Sequence, residues 1–168
     1  MRQTYFSTFT VQNWVSVFSD IPESNGVILD SLAYLNTNEK VIIYAFVIMR
    51  DHLHIVWEME ANEIDYISAN FKRYTGATII KLLMSFDSPY LENFTSEKLD
   101  RSHKFWKGKS GCLLLEHSDI IWQKITYTHD NPIKGDYKIV EEQEHYLFSS
   151  ARSYSCQESL FSFLTLYT

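Results

Sequence analysis

The stretch VIIYAFVIMRDHLHIVWEM, Val41 to Met59, decides the fold of this 168-residue chain. A mostly apolar run from Val41 to Met49 stops at Arg50 and Asp51, and a second run, HLHIVWEM, starts at His52. Two apolar runs around a short polar break predict two antiparallel strands joined by a tight turn. Side chains alternate along a strand, so His52 and His54 share one face and Leu53 takes the other. Two imidazoles on one strand face make half of a metal site, and the rest of the chain must supply the remainder.

Outward from the hairpin, residues 2–11 (RQTYFSTFTV) carry the β-branched and aromatic enrichment of a first strand. Turn residues fill the stretch up to Gly26, after which Val27, Leu29, Leu32, Ala33 and Leu35 predict a weakly amphipathic helix over 26–35. Downstream, Ile64, Ile67, Phe71, Tyr74, Ile79, Leu82, Leu83 and Phe86 recur at helical spacing within 61–86, and Gly76 is expected to loosen the middle of that helix. Residues 87–100 predict a loop or short helix. The turn signal GKSG precedes a short apolar strand, CLLLEH, at 112–117. Ser118 and Asp119 then start a helix through IIWQKITYTHD that must end near Pro132. Residues 133–168 are mixed, and no linker or repeat divides residues 1–168, so a single domain is expected. The order predicts an α+β fold, an antiparallel sheet with flanking helices and the hairpin near its centre.

A hydrophobic fraction of 45% excludes a disordered chain. No apolar run approaches the roughly 20 residues of a membrane span, and the N-terminal MRQTYFSTFTVQ lacks a signal peptide's apolar core. Cys112 and Cys156 fit no CxxC pattern, which points to reduced or buried thiols and a cytoplasmic protein. The net charge of −6 leans against nucleic-acid binding as a whole-molecule property. Charge is local, however: Lys98, Arg101, His103, Lys104, Lys107 and Lys109 form one basic segment, and Lys72, Arg73 and Lys81 a second.

On the helix after Ser118, Gln123, Tyr127 and Asn131 are spaced by four and share a face, while Ile121, Ile125 and Thr128 form another that fits a sheet. A tyrosine hydroxyl, with a free pKa near ~10, is a weak nucleophile at neutral pH. A divalent cation, or a phosphate polarised by one, makes its attack feasible. A His-x-His strand pair plus one amide or carboxylate oxygen is a reasonable ligand set for Mg²⁺ or Mn²⁺. The other histidines, His103, His117, His129 and His145, have no ligand spacing and are expected at the surface or in packing. Phe105 and Trp106 could stack on bases, although a core role is the better reading.

These residues carry a resemblance. HLH at 52–54 resembles the histidine-hydrophobe-histidine motif of HUH endonucleases. YTHDNP, with Tyr127 five residues before Pro132, is similar to the YIxxNP segment of REP-associated tyrosine transposases, and YLFSSARSY at 146–154 to their YxxSSAR segment. Phe105-Trp106 and the run leading to IIWQK lie between, so the likeness covers most of residues 41–154 in order. The resemblance implies a ferredoxin-like antiparallel sheet with flanking helices, His52 and His54 as metal ligands, and Asn131 completing the metal site. It further implies Tyr127 as nucleophile on single-stranded DNA, leaving a 5′-phosphotyrosine link and a free 3′-hydroxyl. Hairpin-bearing DNA is the implied substrate, Lys98, Arg101, Lys104, Lys107 and Lys109 the basic residues to meet it, and either a homodimer or a monomer the assembly. Where the family has Pro-Asn before the first histidine, this chain has Arg50-Asp51, which either alters the turn or adds a carboxylate beside the metal.

The leading expectation is a metal-dependent, transposase-like DNA endonuclease and strand transferase. Two alternatives stand beside it: a domesticated relative that binds structured nucleic acid without cutting, and a phosphoesterase that uses water instead of Tyr127.

Overall fold

In the computed structural model, which describes residues 1–38, 41–96, 102–135 and 138–168, β1 (Arg2–Thr10) leads through a 3-10 turn (Gln12–Trp14) and a one-turn helix α1 (Val17–Asp20) into α2 (Glu23–Thr37). β2 (Ile42–Ile48) and β3 (His52–Glu60) form the expected hairpin, followed by α3 (Ile64–Ser85) and β4 (Gly111–Leu115). α4 (Ser118–Asp130) and a short α5 (Ala151–Ser155) complete the helices.

The four strands pair antiparallel in the order β2-β3-β1-β4. β1 and β2 therefore run parallel with β3 between them, and β3 and β4 run parallel with β1 between them. Two βαβ units interleave, which is the ferredoxin-like arrangement. The alternation in β3 decides what lies on each face. Leu53, Ile55, Trp57 and Met59 are fully buried beneath α2 and α3, packed with Phe9, Ile28, Leu32 and Phe71. Burial of each such side chain stabilises the fold by about 1.5–3 kcal/mol. The opposite parity, His52, His54 and Val56, faces α4, whose Ile121 and Ile125 pack on Ala45, Val56 and Leu115. The apolar face expected of α4 is buried, together with Thr128 and His129.

The C-terminal stretch covers the outer edge of β2. Ile48 N–H donates to Phe148 O (2.9 Å) and Ser150 N–H to Phe46 O (3.0 Å), and farther along Thr165 N–H donates to Ile43 O (2.9 Å). Phe46 N–H also donates to Ser150 Oγ (2.9 Å). The unpaired row of amides that an exposed edge strand would carry is thus occupied.

Four local expectations are corrected. α2 starts at Glu23 rather than Gly26, because Ser24 and Asn25 are not a loop: their side chains donate to Ile21 O (2.6 Å) and Phe18 O (2.8 Å) and anchor the first turn. The turn-rich stretch before it contains α1, which buries Val17 and Phe18. Gly76 does not loosen α3; a Cβ there would sit 3.3 Å from both Phe105 Cβ and Trp106 Cδ1, so its missing side chain lets these aromatics close on the helix. The hairpin is only half central: β3 lies inside the sheet but β2 at its edge, where the C-terminal stretch covers it. Cys112 and Cys156 are free thiols, as expected, and both are exposed. Among the described residues, no helix is long and apolar enough to cross a membrane.

Candidate active site

Sheet register and α4 bring four rings together. His52 and His54 lie side by side with ring centroids 4.7 Å apart. Tyr127, on α4, meets His54 at 5.4 Å and 65°. Phe6 of β1 stacks on His54 (5.2 Å) and meets Tyr127 edge-on (5.7 Å). Thr8 stands directly across from His54 in the β1–β3 register, which places its Oγ1 2.8 Å from His54 Nδ1.

The protonation of the two histidines follows from their neighbours. His54 is 6% exposed. Burial, then the charges of His52 and Lys124, push its pKa down from 6.5 to about 3, so its imidazole is neutral at physiological pH. His52 Nδ1 lies 2.6 Å from Asp51 Oδ1. An ionised carboxylate only accepts, so Nδ1 of His52 carries the hydrogen and a neutral ring keeps its Nε2 lone pair. This carboxylate-to-imidazole bond is the kind that orients histidine ligands in metal sites. For His54, a bond donated from Nδ1 to Thr8 would leave Nε2 in the same state. The departure at Arg50-Asp51 therefore puts a carboxylate on an imidazole, while the turn is held by Phe18 N–H to Arg50 O (3.1 Å) and Val11 N–H to Asp51 O (2.8 Å).

Tyr127 is 47% exposed, so it touches His54 with its ring and remains open to solvent. Asn131 lies one turn on, its Nδ2 donating to Tyr127 O at 2.7 Å. The carbonyl partner fixes which end of that amide is nitrogen and identifies Oδ1 as its acceptor. Gln123 is exposed on α4. Sequence reasoning passed over Lys124, whose Nζ sits 4.9 Å from the Phe6 ring centroid and 5.3 Å from that of Tyr127. Its spacing of three from Tyr127 was the available signal. Phe6 and Thr8 were also missed, since only the strand register reveals them.

Among the described residues, no cluster of three or more His, Cys, Asp or Glu side chains could hold a metal ion. The donor set is the two imidazoles on one sheet face and the amide oxygen of Asn131, one turn beyond Tyr127. It fits a divalent cation that takes mixed nitrogen and oxygen ligands and keeps positions for water and phosphate. Glu58, which shares the parity of His54, is engaged elsewhere with Arg2 Nε (3.0 Å) and the Tyr44 hydroxyl (2.8 Å).

His129 faces inward from α4, its Nε2 2.8 Å from Ser150 Oγ. Burial pushes its pKa down to about 4. Ser150 thus joins α4 to β2 and holds the helix that carries Tyr127 over the sheet.

The two basic segments meet in space. Lys104, Lys107 and Lys109 line a groove of about 1340 Å³ with Lys72, Arg73 and Lys81 of α3. Lys72 Nζ donates to Lys107 O (2.9 Å) and to Gly108 O, fixing that wall. Lys98 and Arg101 lie outside the described residues. Phe105 and Trp106 are buried against α3, and Trp106 Nε1 donates to Thr75 Oγ1 at 2.9 Å, so they belong to the core.

Comparison with known proteins gives a likeness of fold. No family model matches the chain, and no curated protein does. Its architecture is similar to that of a REP-associated tyrosine transposase solved with a REP hairpin bound, with a TM-score of 0.64 at 12% identity over 99% of this chain and 87% of that one. A candidate transposase of Deinococcus radiodurans R1 is also similar, with a TM-score of 0.48 at 14% identity over 76% of this chain and 92% of the other. The chain has the α+β fold of the REP-associated enzyme: a four-stranded antiparallel sheet with flanking helices.

Proposed function

We propose that the protein is a metal-dependent, single-stranded DNA endonuclease and strand transferase of the HUH type, with Tyr127 as nucleophile. The observation that carries the reading is the convergence of Tyr127 with the His52–His54 pair on one sheet face, at 5.4 Å from the nearer ring. The likeness to a transposase that binds a REP hairpin supports a hairpin-bearing substrate for this chain. The rings meet within one protomer, which supports a site completed by a monomer.

His52, His54 and Asn131 would hold Mg²⁺ or Mn²⁺, and the bound cation would supply polarisation of the scissile phosphate. Asp51 and Thr8 orient the two imidazoles through their Nδ1 atoms. The Tyr127 oxygen attacks phosphorus as the bond from phosphorus to the 3′-oxygen breaks. The tyrosine gives up its proton, the leaving oxygen takes one up, and the products are a 5′-phosphotyrosine ester and a 3′-hydroxyl. Attack of another 3′-hydroxyl on that ester reverses the step and joins a new strand. Lys124, beside the Tyr127 ring, is placed to meet a non-bridging phosphate oxygen. Lys104, Lys107 and Lys109, with α3, offer the paired part of the substrate a cationic wall.

The test is incubation with hairpin-bearing single-stranded DNA and Mn²⁺, followed by a denaturing gel. A covalent adduct is expected for the wild type and none for Tyr127→Phe. An adduct that persists in the variant removes Tyr127 from the mechanism, and cleavage without any adduct identifies water as the nucleophile.

A further inference from the structure

The turn leaving β1 holds a large aromatic side chain out to solvent at a conformational cost. Asn13 and Trp14 both have left-handed backbone, with φ of 57° and 53°. Asparagine tolerates that region, whereas a tryptophan rarely occupies it. The conformation is held by Asn13 Nδ2 to Asn93 O (3.0 Å) and Trp14 N–H to Val11 O (3.1 Å). Trp14 gains no burial in return: it is 61% exposed, beside a core that takes in Phe9, Phe18 and Trp106. Lys107 Nζ lies 3.3 Å from the centroid of the Trp14 ring, so an ammonium group braces the indole.

The position is as informative as the exposure. Val11 N–H donates to the carbonyl of Asp51, whose carboxylate holds His52. Gln12 N–H donates to Phe105 O (2.7 Å) and Lys107 N–H to Thr10 O (2.8 Å), which ties the same turn to the wall of the basic groove. Trp14 therefore stands where that groove meets the end of the sheet bearing His52.

We propose that Trp14, braced on one face by Lys107, is a stacking platform on its other face for an unpaired base of single-stranded nucleic acid, with the Lys107 ammonium close by for the adjoining phosphate. A strand that leaves a paired stem in the groove and runs to the histidines would cross the indole. Every nucleobase has a π-face, so the contact would be tolerant of sequence and would select unpaired over paired nucleotides. The inference rests on the nucleic-acid function proposed above, but not on cleavage or on a metal.

The experiment measures fluorescence anisotropy in EDTA with two labelled DNAs, a blunt hairpin and the same hairpin with a short unpaired flank. Trp14→Ala should bind the flanked hairpin at least about tenfold more weakly, or ~1.4 kcal/mol, and the blunt hairpin within about twofold of wild type. Trp14→Phe, which keeps a ring, should recover most of the loss. Trp14→Asn, suited to the left-handed backbone, should match Trp14→Ala and separates lost stacking from a disturbed turn. Equal binding of the flanked hairpin by wild type and Trp14→Ala overturns the proposal, as does an equal loss on both DNAs or a failure of Trp14→Asn to share the defect. If the wild type binds neither DNA, the nucleic-acid function falls as well. If the wild type binds both and only Trp14 proves silent, that function stands and the platform does not.

Discussion

Acid should destabilise the metal-free protein through two buried imidazoles, and His129 allows the effect to be isolated. His129 is 4% exposed and its pKa falls from 6.5 to about 4, with burial the main cause and Asp130 acting in the opposite direction. Above pH 6.5 the ring is neutral in both folded and unfolded chains, and its full contribution to stability is present. As pH falls below 6.5 the unfolded chain takes up a proton that the folded chain refuses. Stability drops until about pH 4, where the folded ring is protonated too. A shift of about 2.5 units at ~1.4 kcal/mol per unit makes the total loss roughly 3 kcal/mol. His54, whose pKa is pushed down to about 3, behaves alike over a wider window and adds on the order of 5 kcal/mol. The sum is comparable to the ~5–15 kcal/mol that holds a typical domain together, so acid unfolding should set in well above pH 4.

The assay is urea unfolding in EDTA at half-unit steps from pH 7.5 to 4.5, for wild type and His129→Gln. Near pH 5 each histidine should contribute a slope of about 1.4 kcal/mol per pH unit, so the wild type should show roughly twice that and the variant half as much. The variant will be weaker at neutral pH, because Ser150 loses its imidazole partner. That offset is constant with pH and leaves the slope comparison intact. An identical slope in the two proteins, or a His129 ring resonance titrating near 6.5 in the folded state, would refute the reasoning.

Other perturbations test separate parts of the structure. Ser150→Ala strands Phe46 N–H and His129 Nε2 in the core; the expected cost is about 2–6 kcal/mol by chemical denaturation, at ~1–3 per unsatisfied group. Gly76→Val drives a branched side chain into Phe105 and Trp106, already 3.3 Å from a Cβ, and should lower stability by about 1–3 kcal/mol or more in a thermal melt. Asp51→Asn replaces an acceptor-only carboxylate with a neutral amide that can also donate, so the His52 tautomer is no longer fixed, and should weaken Mn²⁺ binding by roughly 10–100-fold in calorimetry. Lys104→Ala with Lys109→Ala, both on the groove wall, should weaken hairpin binding and lower the slope of log K against log salt by roughly 0.9 per lost phosphate contact.

The sheet and half of the candidate site were legible because both depend on short-range alternation. Once Leu53 is assigned to the core, the parity of β3 places His52 and His54 together, and the same logic at a period of four puts Tyr127 and Asn131 on one side of α4. Legibility ends where a contact depends on register between distant segments. Thr8 meets His54 only because β1 pairs with β3 at that offset, and Ser150 meets His129 only because the C-terminal stretch docks on β2. Short local signals were also misjudged where tertiary contacts reassigned them. Ser24 and Asn25 have turn chemistry, but with Phe18 O and Ile21 O as acceptors they start a helix. The two basic runs show the same limit in electrostatics: separated in the chain by the stretch between Lys81 and Lys98, each reads as a solvated face, and packing of the 102–112 segment on α3 brings Lys104, Lys107 and Lys109 into one groove with Lys72, Arg73 and Lys81. A net charge of −6 therefore says little about this protein's partners. Cations gathered on one groove can offer phosphates a strong local field while acidic residues elsewhere set the sum, because at physiological salt exposed charges more than ~8 Å away are largely screened.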